Sequence, residues 1–240
     1  MIGGVFLFEM MAVMNEPGLL LKGSEPLIMG ILNTTPDSFS DGGKYISVDR
    51  ALQHARSMMD EGCHIIDIGG ESTRPGSASV DAATQLQRVI PVIESLVNLD
   101  VTSSQLLISI DTTLSRVAEC AILKGARLIN DTSAGLDDKA MFEVAARHSI
   151  PMVLMHRLGN PKNMQDNPKY HNVVDDIRAF FDERIYSGIK AGLTHDQIIL
   201  DPGIGFGKTR EHNFQILANL DKFVSMGFPI LLGASRKRFM

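Results

Sequence analysis

Short runs of consecutive apolar, often β-branched residues alternate along this chain with longer stretches in which apolar positions recur every three or four residues. The short runs predict strands at 27–33, 64–69, 106–111, 127–131, 151–156, 197–201 and 229–235. The longer ones predict helices at 48–61, 82–98, 114–124, 138–147, 173–191 and 212–224. In the second helix Leu86, Val89, Ile90 and Ile93 make an apolar face, and Asp81, Gln85, Gln87 and Arg88 are expected to face water. Strands that are nearly all apolar, such as Ile65-Ile66-Asp67-Ile68 and Met152-Val153-Leu154-Met155, suit a parallel sheet covered on both faces, because parallel neighbours need a crossover helix. The fold class is α/β. Beyond the βα alternation there is no repeat, and no linker is long enough to divide the chain, so residues 1–240 read as one domain.

The polar residues separate a closed barrel from an open sheet. Asn33, Asp67, Asp111, Asn130, His156, Asp201 and Ser235 fall at or just past the C-terminal ends of seven different strands. In a barrel those ends meet at one mouth, whereas an open sheet strings them along an edge and unites only those at its switch point. An Asp or Asn behind a strand also simply starts a turn or caps a helix. That suffices for any one of them; a barrel accounts for all seven.

Composition narrows the function. The net charge of −5 argues against a general grip on nucleic acid, so any anion must be held locally. Cys63 and Cys120 are far apart and support neither a disulfide framework nor a cysteine metal site, which fits the cytoplasm. The stretch 1–14 is apolar but carries Glu9 and meets no Lys before Lys22, unlike an export signal, and no apolar run is long enough to span a membrane. Residues 1–25 are expected to be an extension whose first part packs on the domain as a strand or hairpin.

Four loops could carry chemistry. Asn33–Gly43 is polar and glycine-containing, a candidate lid with Phe39 over an apolar ligand face and oxygen donors for a hard cation such as Mg²⁺. Gly69–Gly76 holds Arg74 between Gly and Pro residues, where its guanidinium fork suits phosphate or carboxylate as readily as solvent. The segment Asp201-Pro-Gly-Ile-Gly-Phe-Gly-Lys-Thr209 ends like a P-loop, but Pro202 occupies the position of the first Gly, so it reads as a site for something other than a nucleotide. Ser235-Arg236-Lys237-Arg238 is a cationic cluster suited to an anionic leaving group. His156 has no partner ligand at a metal-binding spacing and reads as a hydrogen-bonding residue.

In order, Gly30-Ile-Leu-Asn-Thr-Thr-Pro-Asp-Ser-Phe-Ser-Asp-Gly-Gly43, Asp67-Ile-Gly-Gly-Glu-Ser-Thr-Arg-Pro-Gly76, Ser109-Ile-Asp-Thr-Thr113, Ile129-Asn-Asp131, Leu154-Met-His156, Asp201-Pro-Gly-Ile-Gly-Phe-Gly-Lys208 and Ser235-Arg-Lys237 resemble dihydropteroate synthase. The resemblance implies a (β/α)8 TIM barrel that joins 6-hydroxymethyl-7,8-dihydropterin diphosphate to p-aminobenzoate with Mg²⁺ assisting, in a cytoplasmic homodimer. It implies that Asp111, Asn130, Asp201 and Lys237 bind the pterin, with Met155 also at the substrate. It places Asn33 on the Mg²⁺–diphosphate unit and Arg74 on the diphosphate, and sets Thr73, Pro75, Phe39, Phe206 and Ser235 around p-aminobenzoate. Asn33, Arg74 and Lys237 are the expected catalytic residues.

The sequence departs from that family at Arg157-Leu158-Gly159, where Met-Gln-Gly is usual. It also lacks the eighth βα segment with its Arg-x-His motif after Lys237, so seven strands with an open seam are expected, in a shortened and impaired form of the enzyme. Two alternatives stand beside it: a pterin-dependent methyltransferase barrel, which shares the central Asp and Asn, and a pterin-binding protein without turnover, which the missing eighth strand favours.

Overall fold

The computed structural model describes residues 5–9, 26–35, 44–72, 79–99, 106–159, 164 and 167–233, with side chains for all of these except 5–9 and 44–47. In chain order the elements are β1 Val5–Glu9, β2 Ile28–Asn33, α1 Lys44–Asp60, β3 Ile65–Gly69, α2 Ala82–Val97, β4 Leu107–Asp111, α3 Ser115–Leu123 and β5 Leu128–Asp131. There follow α4 Ala140–Arg147, β6 Met152–Met155, α5 Val173–Lys190, β7 Ile198–Asp201, α6 Arg210–Leu217, α7 Leu220–Val224 and β8 Ile230–Leu232.

Strands β2 to β8 are the seven predicted ones, and they pair in parallel in sequence order. The expected seam between the first and last of them is not open. β1 lies there antiparallel to both β2 and β8, so eight strands close the barrel. An edge strand of β2 or β8 character exposes unpaired N–H and C=O groups, and a strand paired on both sides satisfies them.

Side chains alternate across each strand. Met29, Ile65, Leu107, Leu128, Val153, Ile199 and Leu231, one from each parallel strand, pack together as the barrel floor. Their neighbours in sequence, including Ile66, Ile108, Ile129, Leu154 and Ile198, belong to the larger outer core shared with the helices.

Two expectations are corrected in the helices. Gln85 does not face water: it is buried on the inner side of α2, where its amide is fully used. The predicted helix at 212–224 is two helices, because Asn219 bonds its side-chain Nδ2 back to Gln215 O at 2.8 Å and leaves helical geometry with φ −128°. Short polar side chains compete in this way with the helical backbone. β6 also ends at Met155, one residue before His156, and the expected end of the last strand, 234–235, lies outside the described residues.

Candidate active site at the barrel mouth

Two residues above the floor on successive strands stand Asp67, Ser109, Asn130, Met155 and Asp201; Asn33, Gly69 and Asp111 lie nearer the mouth. The period of two that sends the floor residues inward sends these inward too. Register ties them side by side: Asn33 pairs with Gly69, Gly69 with Asp111, Asp111 with Asn130, and Met155 with Asp201. Residues separated by up to 168 positions, Asn33 to Asp201, therefore share one interior.

Gly69 makes the room for this meeting. A Cβ on it would stand 3.3 Å from Asp111 Oδ2 and 3.5 Å from Asn33 Oδ1, so both oxygens rest against its bare backbone. Thr34 donates to Gly69 O through its N–H at 2.9 Å and its hydroxyl at 3.0 Å, which fixes where the chain leaves β2.

Asp67 sits in the middle of β3 rather than at its end, and it is 2% exposed. It accepts a 2.8 Å hydrogen bond from Asn130 Nδ2. Burial pushes its carboxyl up to about 6, with the Ser109 and Asn130 groups pulling back. Asp111 is held well above the usual carboxylate range by burial first and then by the charges of Asp67, Asp131 and Glu71. Among the described residues neither Asp67 nor Asp111 is in an ion pair. A desolvated, acceptor-rich mouth of this kind favours a ligand that presents N–H donors.

The turn after β7 is built differently. Asp201 Oδ1 accepts from Gly203 N at 2.7 Å, and Phe206 N donates to Gly203 O at 3.0 Å, which leaves Phe206 half-buried. Gly203 has φ +68°, and a Cβ there would meet His156 O at 1.9 Å. The buried Lys208 ammonium donates to His156 O at 3.2 Å and Phe206 O at 3.0 Å, and lies 2.9 Å from His156 Nδ1. Burial, and then the Lys208 charge, depress the His156 imidazole to about 2, so it is neutral and accepts from the ammonium. Its ring meets Phe180 edge-on at 4.8 Å, on the helix side of the sheet. His156 thus acts as the hydrogen-bonding residue expected from sequence.

Of the residues singled out, Asn33, Asp67, Asp111, Asn130, Met155 and Asp201 converge, with Phe206 on the turn beside them. Phe39, Thr73, Arg74, Pro75, Ser235 and Lys237 lie outside the described residues. Arg157, the charged departure after β6, pairs with Asp137 on the neighbouring loop. Asp131 is turned outward and closes its own loop, accepting from Ser133 N, Ser133 Oγ and Gly135 N. Three supports were not read from sequence. Lys208 latches the β6 and β7 loops, and Gln85 joins Thr112 to Glu71, while Arg88 donates to Gly70 O at 2.8 Å. The glycines around Lys208 were the available signal for the first; nothing in the helical pattern marks Gln85 for the second.

A sequence profile of the family described as pterin binding enzyme matches residues 29–240. A dihydropteroate synthase from Synechocystis is 45% identical over 219 residues, which cover 91% of this chain and 74% of that protein. The chain belongs to the dihydropteroate synthases. It is therefore a transferase of folate biosynthesis. The crystal structure of the Yersinia pestis dihydropteroate synthase with a sulfonamide drug superposes with a TM-score of 0.84 at 44% identity, covering 94% of this chain and 80% of that one. The Xanthomonas albilineans dihydropteroate synthase in complex with 7,8-dihydropteroate gives 0.74 at 38% identity, covering 88% and 73%. No helix among the described residues is long and apolar enough to cross a membrane.

Proposed function

We propose that this dihydropteroate synthase binds the pterin ring within the barrel mouth and condenses 6-hydroxymethyl-7,8-dihydropterin diphosphate with p-aminobenzoate, releasing diphosphate and 7,8-dihydropteroate. The observation that carries this is the convergence of Asp111, Asn130 and Asp201 from three strands onto one interior, with no charged partner for Asp111 among the described residues. A pterin edge presents adjacent N–H donors and ring acceptors, which carboxyl and amide groups satisfy in pairs. That a relative is solved with 7,8-dihydropteroate supports the same ligand here.

Asp111, Asn130, Asp201 and Lys237 hold the pterin, with Met155 against its ring. Thr73, Pro75, Phe39, Phe206 and Ser235 frame p-aminobenzoate. The reaction is a substitution at the pterin methylene, in which the C–O bond to diphosphate breaks with its electron pair leaving on diphosphate, the aniline nitrogen supplies the electron pair of the new C–N bond, and that nitrogen then loses one proton to water. The aniline is neutral at pH 7, so the protein's work is to position it and to stabilise the leaving anion. Arg74 and Lys237 supply positive charge for that purpose, and Arg157 does not add to it, being neutralised by Asp137.

Mg²⁺ fits this mouth on the oxygen side. Among the described residues no group of three or more His, Cys, Asp or Glu could hold a metal alone, and Mg²⁺ commonly keeps one or two protein oxygens with the rest from phosphate and water. Asn33 Oδ1, lying bare against Gly69, is the oxygen we assign to it. When bound, the ion neutralises charge on the leaving diphosphate. We further assign the enzyme to the cytoplasm, where both free cysteines stay reduced, and to a homodimer.

The test is diphosphate release by the 240-residue chain, with each substrate omitted in turn. Release that needs both pterin diphosphate and p-aminobenzoate, and equals dihydropteroate formed, is expected. Pterin binding without release makes the protein a binder, and methyl transfer from methyltetrahydrofolate makes it the other barrel enzyme. A fall in activity on chelation that Mg²⁺ restores is expected for the metal, and light scattering at twice the 26.3 kDa chain mass for the dimer.

A further inference from the structure

Asp67 has no place in the reaction above, yet it is a buried carboxylate in the wall of the site. One oxygen, Oδ2, accepts from Asn130 Nδ2 at 2.8 Å. The other, Oδ1, meets no donor at full hydrogen-bond geometry among the described residues; the buried Ser109 hydroxyl on the register-paired position of β4 only pulls on the carboxylate, and it too lacks a well-formed bond. Burying a carboxylate in this state is costly and calls for a compensating role.

The chemistry of Asn130 supplies one. An amide can present either its oxygen or its NH₂ to a ligand, and its two ends have almost the same shape. An ionised carboxylate can only accept. It therefore holds the NH₂ of Asn130 against Asp67 and leaves Oδ1 of this partly buried side chain as the end available to a ligand. We propose that Asp67 is a positioning residue that fixes the amide orientation of Asn130, so that the site selects a heterocycle with an N–H donor at that edge and rejects one with a carbonyl there. This deepens the reading of the mouth as a pterin site and rests on it. Ionisation of Asp67 above about pH 6 agrees with an acceptor-only role at neutral pH.

The probe pair is 6-hydroxymethylpterin and 6-hydroxymethyl-lumazine, which differ by the 2-amino donor against a 2-oxo acceptor. Titration of the intact protein is expected to show pterin binding at least about 30-fold tighter than lumazine, near the value of two lost hydrogen bonds. In Asp67→Asn, a shape-conserving change that lets either amide turn, that ratio should narrow to within about 5-fold, mostly through tighter lumazine binding. KM for p-aminobenzoate should stay unchanged, which a merely structural defect would not respect. An Asp67→Asn protein that keeps the wild-type ratio overturns the proposal.

If that variant does not fold, the wild type alone decides. With ¹⁵N-labelled asparagine, the Asn130 side-chain amide should exchange slowly with solvent, with and without the pterin. Exchange as fast as in exposed asparagines overturns the proposal. A wild type that binds neither heterocycle refutes the pterin reading itself, whereas one that binds both equally refutes only the role of Asp67.

Discussion

The floor and the mouth of this barrel are made from the same strands and differ by a step of two residues. On β3 the step runs from Ile65 to Asp67 to Gly69, on β4 from Leu107 to Ser109 to Asp111, and on β7 from Ile199 to Asp201. The floor is closed and apolar, and its residues contribute stability. The mouth is as deeply buried at Asp67 and Asp201 but carries carboxyl groups that burial makes costly. One layer is arranged for folding and the next, within about 7 Å along the strand, is arranged against it for the sake of a ligand.

Breaking the floor should give the largest change in stability. Leu128→Ala is expected to cost about 3 kcal/mol in urea unfolding, within the usual range for a buried Leu→Ala, while the folded enzyme keeps KM values near the wild type. The mouth should behave in the opposite way. Asp111→Asn is expected to lower kcat/KM for the pterin substrate roughly 30- to 100-fold, the value of a hydrogen bond to a charged group, with a melting temperature that is unchanged or higher.

The contrast sharpens with pH. A carboxyl whose folded pKa is raised binds its proton more tightly in the native state, so its ionised form opposes folding once pH passes the ordinary range near 4 and fully so above about 6. Asp67→Asn removes that burden. The variant should match the wild type in urea below pH 4, gain on it as pH rises through 6, and gain further at higher pH as Asp111, relieved of the Asp67 charge, ionises more easily. An advantage that shrinks as pH rises would contradict the sign. Comparing variant with wild type also cancels His156, whose depressed pKa works in the other direction, with stability present above about 6.5 and lost as pH falls.

Smaller effects should come from the rim. Gly69→Ala keeps the strand but puts a methyl 3.3 Å from Asp111 Oδ2, so KM for the pterin should rise several-fold with little loss of stability. Arg157→Gln should cost no more than about 1 kcal/mol, since Asp137 remains solvated when its partner is removed, and should leave both KM values within about 2-fold.

Much of this arrangement was legible in the amino-acid pattern. Apolar runs located the seven parallel strands to within a few residues, because strands buried on both faces leave no polar alternation to confuse them. Polar residues closing those runs located Asn33, Asp111, Asn130 and Asp201. Asp67 was seen but placed a step too high, since an apolar run does not reveal which of its members is the last to pair. β1 was expected only as a strand or hairpin packed on the domain; the pairing with β8 by which it closes the barrel depends on contacts across more than 200 positions, which periodicity does not carry. Gln85 and Lys208 were hidden for a related reason. Each is a polar residue whose burial is decided by partners on other elements, Thr112 and Glu71 for the first and His156 for the second.

The most direct measurement is a crystal structure of the protein soaked with 6-hydroxymethylpterin. One heterocycle within hydrogen-bond distance of Asp111, Asn130 and Asp201 together is the expected result. A pterin bound outside the barrel, or one that meets only one of the three, would contradict the claim that these strand ends form a single site.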